Sequence, residues 1–270
     1  MYPDFSLLLS VYGGEQPDYL AEALESICAS TVLPSQIVLV KDGPLGNDLE
    51  EVLATYTSRL PQLEFLPLAE NQGLGRALQA GLNACRYEWV ARFDTDDRLL
   101  PHRFEQQLQF LIQQKSLVLL GGQIQEFSQE GLAKSRMVPL TQPEILAFSK
   151  RRNPFNHMTV IFRKSMIQQV GGYQDLVGFE DYYLWLRVLA KGYQVANLPH
   201  VLVEVRAGQG LMGRRGGPTY AREVWRAYRR FLSEGLLPFT TLFPRLMGQL
   251  SFSFLPGSIR HLVYQTFLRK

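Results

Sequence analysis

The chain has 270 residues, 46% of them apolar and 20% charged, which suits a soluble protein able to bury a large core. A net charge of +3 is too small and too spread out to mark a nucleic-acid partner. The two cysteines, Cys28 and Cys85, have no metal spacing and are expected as reduced core residues.

Phe5 to Val11 is a nearly unbroken apolar run, the pattern of a strand buried on both faces of a parallel sheet. Leu20, Ala23, Leu24, Ile27 and Cys28 recur at helical spacing between Pro17 and Ser30. Ile37–Val40 reads as a second strand, Asp48–Ser58 as a helix, and Leu63–Leu68 as a third strand. A helix over Leu74–Ala84 and a strand from Tyr87 complete three βα units in about 90 residues. Such a layout predicts a doubly wound, mostly parallel nucleotide-binding sheet. No dinucleotide or P-loop glycine pattern interrupts it. Phe104–Gln113 follows as a helix. Ser116–Gly121 and Gln123–Phe127 read as strands, with Gly121-Gly122 permitting a bend or bulge. A polar loop from Asn153 feeds another strand, and Gly171-Gly172-Tyr173 makes a turn. Glu180-Asp181 open a helix over Tyr182–Ala190, and Gln194–Asn197 and Val201–Val205 read as two short strands.

Past Ala207 the composition changes. Five glycines surround Arg214 and Arg215, and from Arg222 onward eight Lys/Arg face two Asp/Glu. The expected organisation is a catalytic domain over 1–207 and a basic, aromatic-rich helical extension over 208–270. That extension could dock on an anionic membrane or pack as a helical cap. Nothing at the N-terminus resembles a signal peptide, and no apolar run is long enough to span a bilayer. The expected location is the cytoplasm, peripheral at the inner face of the plasma membrane.

Arg92-Phe93-Asp94-Thr95-Asp96-Asp97-Arg98 places three carboxylates at the end of a strand, the sheet edge where ligands bind in open α/β folds. Like charges packed there need a cation, and hard oxygen ligands suit Mg²⁺ or Mn²⁺, especially with phosphates present. Taken alone, the same stretch could be a solvated acidic loop or a helix cap.

The motifs together resemble the family 2 glycosyltransferases, of GT-A fold. The likeness runs over roughly residues 5–205. It rests on Leu9-Ser10-Val11-Tyr12, Lys41-Asp42-Gly43, Asn71 to Ala80, Asp94 to Asp97, and Gly178 to Trp185. Asn153–Phe162, Arg214-Arg215-Gly216-Gly217 and the ending Phe267 to Lys270 look closer still to the AmsE-like amylovoran-biosynthesis transferases.

This resemblance implies Asp97, with Asp96, as metal ligand, and Asp94 and Asp96 near the ribose and donor sugar. It implies Ser10, Val11, Tyr12, Asp42 and Arg76 around the nucleotide. Asp181 would be the base, helped by Glu180, because inversion by displacement needs a carboxylate to accept the acceptor's proton. His157 is expected beside acceptor or diphosphate, and Arg206, Arg214 and Arg215 as cations over the diphosphate. The implied reaction moves one hexose from a UDP-sugar to a lipid-linked saccharide, with Mn²⁺ or Mg²⁺ and no nucleic acid. A QxxRW motif, present in processive synthases, is missing, which points to single transfer. A sugar-nucleotide-forming nucleotidyltransferase and a non-catalytic membrane scaffold are the alternatives. The first should carry a cationic glycine-rich turn after the first strand, and Tyr12-Gly13-Gly14-Glu15 has no cation.

Overall fold

The computed structural model describes residues 2–128, 131–207 and 216–255. The chain divides into two compact units, one of 1–175 with 180–206 and the other of 176–179 with 207–270. The short inclusion of 176–179 in the second unit has no counterpart in the sequence pattern.

In the first unit, β1 (Phe5–Tyr12), β2 (Gln36–Asp42), β3 (Leu63–Pro67) and β4 (Trp89–Arg92) are joined by α1 (Pro17–Cys28), α2 (Asn47–Thr57) and α3 (Leu74–Ala84). Proline at the first turn of α1 presets its φ and gives up an amide that has no helical partner there. All three pairings in this half, β1 with β2, β1 with β4 and β2 with β3, are parallel. Strand alternation sends Leu7, Leu9, Ile37 and Leu39 into one apolar core with α1 and α2. Leu8, Val38 and Val40 go into the other, with Ala77, Leu78 and Leu82 of α3. Helices on both faces make the sheet doubly wound.

Beyond β4 the sheet becomes mixed. A two-residue β5 (Arg98–Leu99) leads through α4 (Arg103–Gln113) to β6 (Leu117–Ser128), β7 (Gly131–Arg136), α5 (Gln142–Ser149), β8 (Ile161–Arg163), α6 (Lys164–Gln169), α7 (Glu180–Ala190) and β9 (Gln194–Arg206). The strand order is β3-β2-β1-β4-β8-β6-β9-β5, with β7 beside β6. β8 is antiparallel to β4, β6 to both β7 and β8, and β5 to β9, while β6 and β9 run parallel. The mostly parallel character read from the sequence holds throughout the first half and for β6 with β9, while β5, β7 and β8 pair antiparallel.

The two pairs of short strands expected near 116–127 and 194–205 are instead two long bent strands, β6 and β9. Their register shifts at Gly121–Gln123. A Cβ on Gly121 would lie 2.2 Å from the Asn197 side chain, and one on Gly122 would lie 2.3 Å from Leu202. Only glycine allows the strands to close at that bend. α5 was not expected from periodicity, and its start is fixed by a capping box between Thr141 and Glu144.

The second unit holds α8 (Gly217–Ser233) and α9 (Phe239–Ser253). Ala221, Val224, Ala227, Tyr228 and Phe231 of α8 are buried, and the Phe179 ring meets Tyr228 and Phe231 edge-on. Among the described residues no helix is long and apolar enough to cross a membrane.

Candidate active site

The site lies at the C-terminal edge of β1, β2 and β4. Register places Tyr12 beside Asp42 at the strand ends and Leu8 beside Arg92. The Phe93 amide donates to Leu8 O at 3.1 Å, prolonging this pairing as the chain enters the acidic stretch. Thr95 then ties the loop down, its hydroxyl 3.3 Å from Ser10 O and 3.0 Å from a Glu15 carboxylate oxygen.

Asp94, Asp96 and Asp97 each offer a carboxylate oxygen within 4.8 Å of the others. Burial and the neighbouring carboxylates push Asp96 up to about 6. Asp97, at 2% exposure, is raised well above the usual range for the same reasons, although the Arg206 amide donates to it at 2.9 Å. Three converging carboxylates, two of them, Asp96 and Asp97, with raised proton affinity, form a donor set that fits a hard divalent cation. The bland reading of a solvated loop does not suit a buried Asp97.

Beneath the cluster lies Arg92, 1% exposed and ion-paired with Asp94. Its Nε and Nη1 have no hydrogen-bond partner among the described residues. The Asp94 charge raises its proton affinity against the effect of burial, with Tyr173 and Asp97 adding to it. A second buried guanidinium, Arg103, donates to Arg92 O at 2.7 Å. Burial and the Arg92 charge lower it to about 9. The sequence reading missed both arginines. The available signal was a charged residue inside the apolar strand Trp89-Val90-Ala91-Arg92-Phe93, a position that requires a partner.

Asp181 sits in the first turn of α7. Its Oδ2 accepts from Asn153 Nδ2 at 2.5 Å and its Oδ1 from the Tyr182 amide at 2.6 Å. Burial raises its proton affinity, against the pull of those donors and of the Arg92 and Arg136 charges. Asn153 was expected only as part of a polar loop and is in fact the side chain that orients Asp181. The α3 start is packed close to this turn: a Cβ on Gly75 would lie 2.7 Å from Gln174 O and 3.4 Å from Glu180 Cβ.

The other candidates fall in several settings. Tyr12 is 45% exposed, and its ring lies over Gly14, where a Cβ would be 2.5 Å from it. Ser10 and Val11 continue β1 toward the edge, with Val11 in the core. Asp42 is buried, and its two carboxylate oxygens accept the amides of Gln72 (2.7 Å) and Gly73 (3.0 Å), fixing the entry to α3. Arg76 is exposed and paired with Asp175 at 3.0 Å.

His157 is buried, hydrogen-bonded through Nε2 with Tyr173 Oη at 2.9 Å and edge-on to Trp185. Burial holds it well below the usual histidine range, hence neutral. That is a core setting. Arg206 is engaged on every side: Nη2 lies 2.6 Å from Glu22, and Nε donates to Asp96 O at 3.1 Å. Its guanidinium is stacked 3.8 Å from the Tyr19 ring centroid and 4.6 Å from that of Phe127. It clasps β9 to the acidic loop. Arg214 and Arg215 lie outside the described residues.

Comparison with known proteins gives the family and the fold. The profile of "Glycosyl transferase family 2" matches residues 6–174. The amylovoran biosynthesis glycosyltransferase AmsE of Erwinia amylovora is 43% identical over 225 residues, 83% of this chain and 84% of that one. The UDP-Gal:alpha-D-GlcNAc-diphosphoundecaprenol beta-1,3-galactosyltransferase of Escherichia coli is 35% identical over 272 residues, 99% and 98% of the two chains. Among solved structures, the mannosyltransferase PcManGT of Pyrobaculum calidifontis, in complex with GDP-Man and Mn²⁺, superposes with a TM-score of 0.66. It is 14% identical, over 96% of this chain and 72% of that one, and the likeness supports the GT-A fold. A family profile spanning most of the chain and relatives aligned over most of their length agree: the chain belongs to glycosyl transferase family 2 and is a glycosyltransferase.

Proposed function

We propose that the protein transfers a single hexose from a UDP-sugar to a lipid-linked saccharide in the assembly of a bacterial cell-surface polysaccharide, with inversion at the anomeric carbon. Its location would be cytoplasmic, peripheral at the inner face of the plasma membrane. The observation that carries this reading is the pairing of two carboxylate centres. Asp94, Asp96 and Asp97 converge at the C-terminal edge of the sheet, and Asp181 is separately held by Asn153 at the start of α7. The AmsE and galactosyltransferase names supply the polysaccharide, UDP and lipid-linked parts of the proposal.

In this reading Asp97 and Asp96 hold Mn²⁺ or Mg²⁺, which when bound neutralises charge on the departing diphosphate. Arg92 stays beneath Asp94 and balances the cluster from inside the protein. Tyr12 offers a ring face to the base, while Asp42 keeps the α3 entrance closed against β2. Asp181 accepts the proton of the acceptor hydroxyl as that oxygen bonds to the anomeric carbon and the bond to UDP breaks. Burial, by making Asp181 a stronger base than a free carboxylate, suits it to that step. Arg76 is available near the α3 entrance if its Asp175 pair opens. Arg206 serves by holding Asp97 rather than by reaching the diphosphate.

A donor panel with Mn²⁺ tests the proposal. Wild type should show metal-dependent UDP binding, Asp97→Ala should lose it, and Asp181→Asn should keep binding and lose turnover. Absence of UDP-sugar binding with and without metal, or full turnover in Asp181→Asn, would overturn it.

A further inference from the structure

We infer that α9 carries the surface by which this enzyme docks on an anionic lipid bilayer, with Phe239, Phe243, Met247 and Phe254 as the inserting ridge. Phe239, Phe243 and Met247 recur every four residues, so they line one face of the helix, and Phe254 follows just beyond its end. These four side chains are between 48% and 67% exposed. The Phe239 and Phe243 rings stack on each other with centroids 5.4 Å apart, so the ridge is a formed feature. Soluble surfaces seldom leave such a row of large apolar groups uncovered.

The helix also lacks the internal support its length requires. Of its 15 residues only Leu242 and Ser253 are buried. Pro244 interrupts its hydrogen bonding, and Gly248 lowers its propensity further. Fifteen residues are marginal for an isolated helix in water, and most helical stability in proteins comes from burying an apolar face. An apolar medium over the exposed ridge would supply what the intramolecular packing does not.

Charge decides which medium. From Gly235 to Lys270 the sequence contains no Asp or Glu, but has Arg245, Arg260, Arg269 and Lys270. In the same unit, the exposed residues of α8 include Arg222, Trp225, Arg226, Arg229 and Arg230, of which Arg226 is ion-paired with Glu223 and Arg230 with Glu234. An exposed aromatic and aliphatic ridge on a unit this rich in arginine matches the acyl boundary and phosphates of an anionic bilayer, although Arg245 itself turns to the other face of α9 and stacks on Tyr228. A second protein surface would have to be both apolar and acidic. The inference deepens the membrane-proximal part of the proposed function and names its surface.

The test is co-sedimentation of the full chain with vesicles of phosphatidylcholine alone and of phosphatidylcholine with phosphatidylglycerol. Wild type should bind the anionic vesicles and lose affinity as salt is raised. Phe239→Glu/Phe243→Glu should weaken that binding at least tenfold, with the helical circular dichroism and the stabilisation by UDP with Mn²⁺ unchanged. Met247→Glu alone gives a milder version of the same loss if the double variant does not fold.

No binding of wild type to anionic vesicles would overturn the inference, as would equal binding by the variants. A concentration-dependent dimer abolished by Phe243→Glu, without vesicle binding, would assign the ridge to a second copy instead. Stabilisation by UDP with Mn²⁺ reads the nucleotide site separately, so failure of one reading is not failure of the other.

Discussion

Replacing Arg92 by methionine removes the buried cation paired with Asp94 beneath the acidic cluster while roughly keeping its volume. The wild-type pair is asymmetric: the Arg92 side chain is 2% exposed and that of Asp94 is 28% exposed. Removing one partner of a buried ion pair costs about 3–5 kcal/mol, because the remaining charge is left uncompensated. Two features reduce that figure here. Asp94 can be rehydrated, and the substitution also removes two buried N–H groups that lack partners.

A loss of about 2 kcal/mol results, or a fall in Tm of about 4–8 °C for a domain of this size. The same change should act oppositely on cation binding. With Arg92 gone, the repulsion among Asp94, Asp96 and Asp97 is less compensated, so a divalent ion relieves more of it. Thermal melts with and without saturating Mn²⁺ measure both effects, since a ligand of the native state raises stability according to its affinity. Arg92→Met should melt lower than wild type without metal and gain more from Mn²⁺. A variant as stable as wild type, or one that gains less from Mn²⁺, would refute the role given to Arg92.

Two further outcomes are expected. For pH, the raised carboxyl of Asp96 binds its proton more tightly when folded than when unfolded, so this contribution to stability is present at low pH and is lost as pH rises from about 4 to about 6. Asp97, and Asp181 elsewhere in the fold, are shifted in the same direction. Denaturation without metal should show stability declining across that window, and Mn²⁺ should flatten the decline; a rise instead would mean that the cluster is solvated. For packing, Gly75→Ala puts a methyl 2.7 Å from Gln174 O. Backbone must give way there, at about 1–3 kcal/mol, and turnover should fall more than UDP binding because the start of α7 is displaced; unchanged stability in urea denaturation would show that the contact yields freely.

Much of the site was readable because its signals are local. An apolar run, a turn and an acidic cluster lie within a few residues of one another. The parallel pairing of β1, β2 and β4 brings Tyr12, Asp42 and Asp94 to one edge almost automatically. The mixed second half was less legible because β6 and β9 are single strands only through a bulge. That bulge depends on Asn197 and Leu202 meeting Gly121 and Gly122, residues about 80 positions apart.

The same distinction separates the individual residues. Composition and periodicity determined the α/β class, the acidic cluster and the basic character of the C-terminal region, since these depend on neighbours in the chain. Only tertiary structure decided that His157 is a neutral core residue against Tyr173 and Trp185 and that Asp42 spends its carboxylate on the amides of Gln72 and Gly73. It also decided that Arg206 clasps Asp97 and that Arg92 is the buried partner of Asp94. A side chain's charge state and its hydrogen-bond partners depend on burial and on groups distant in sequence, which no spacing along the chain encodes.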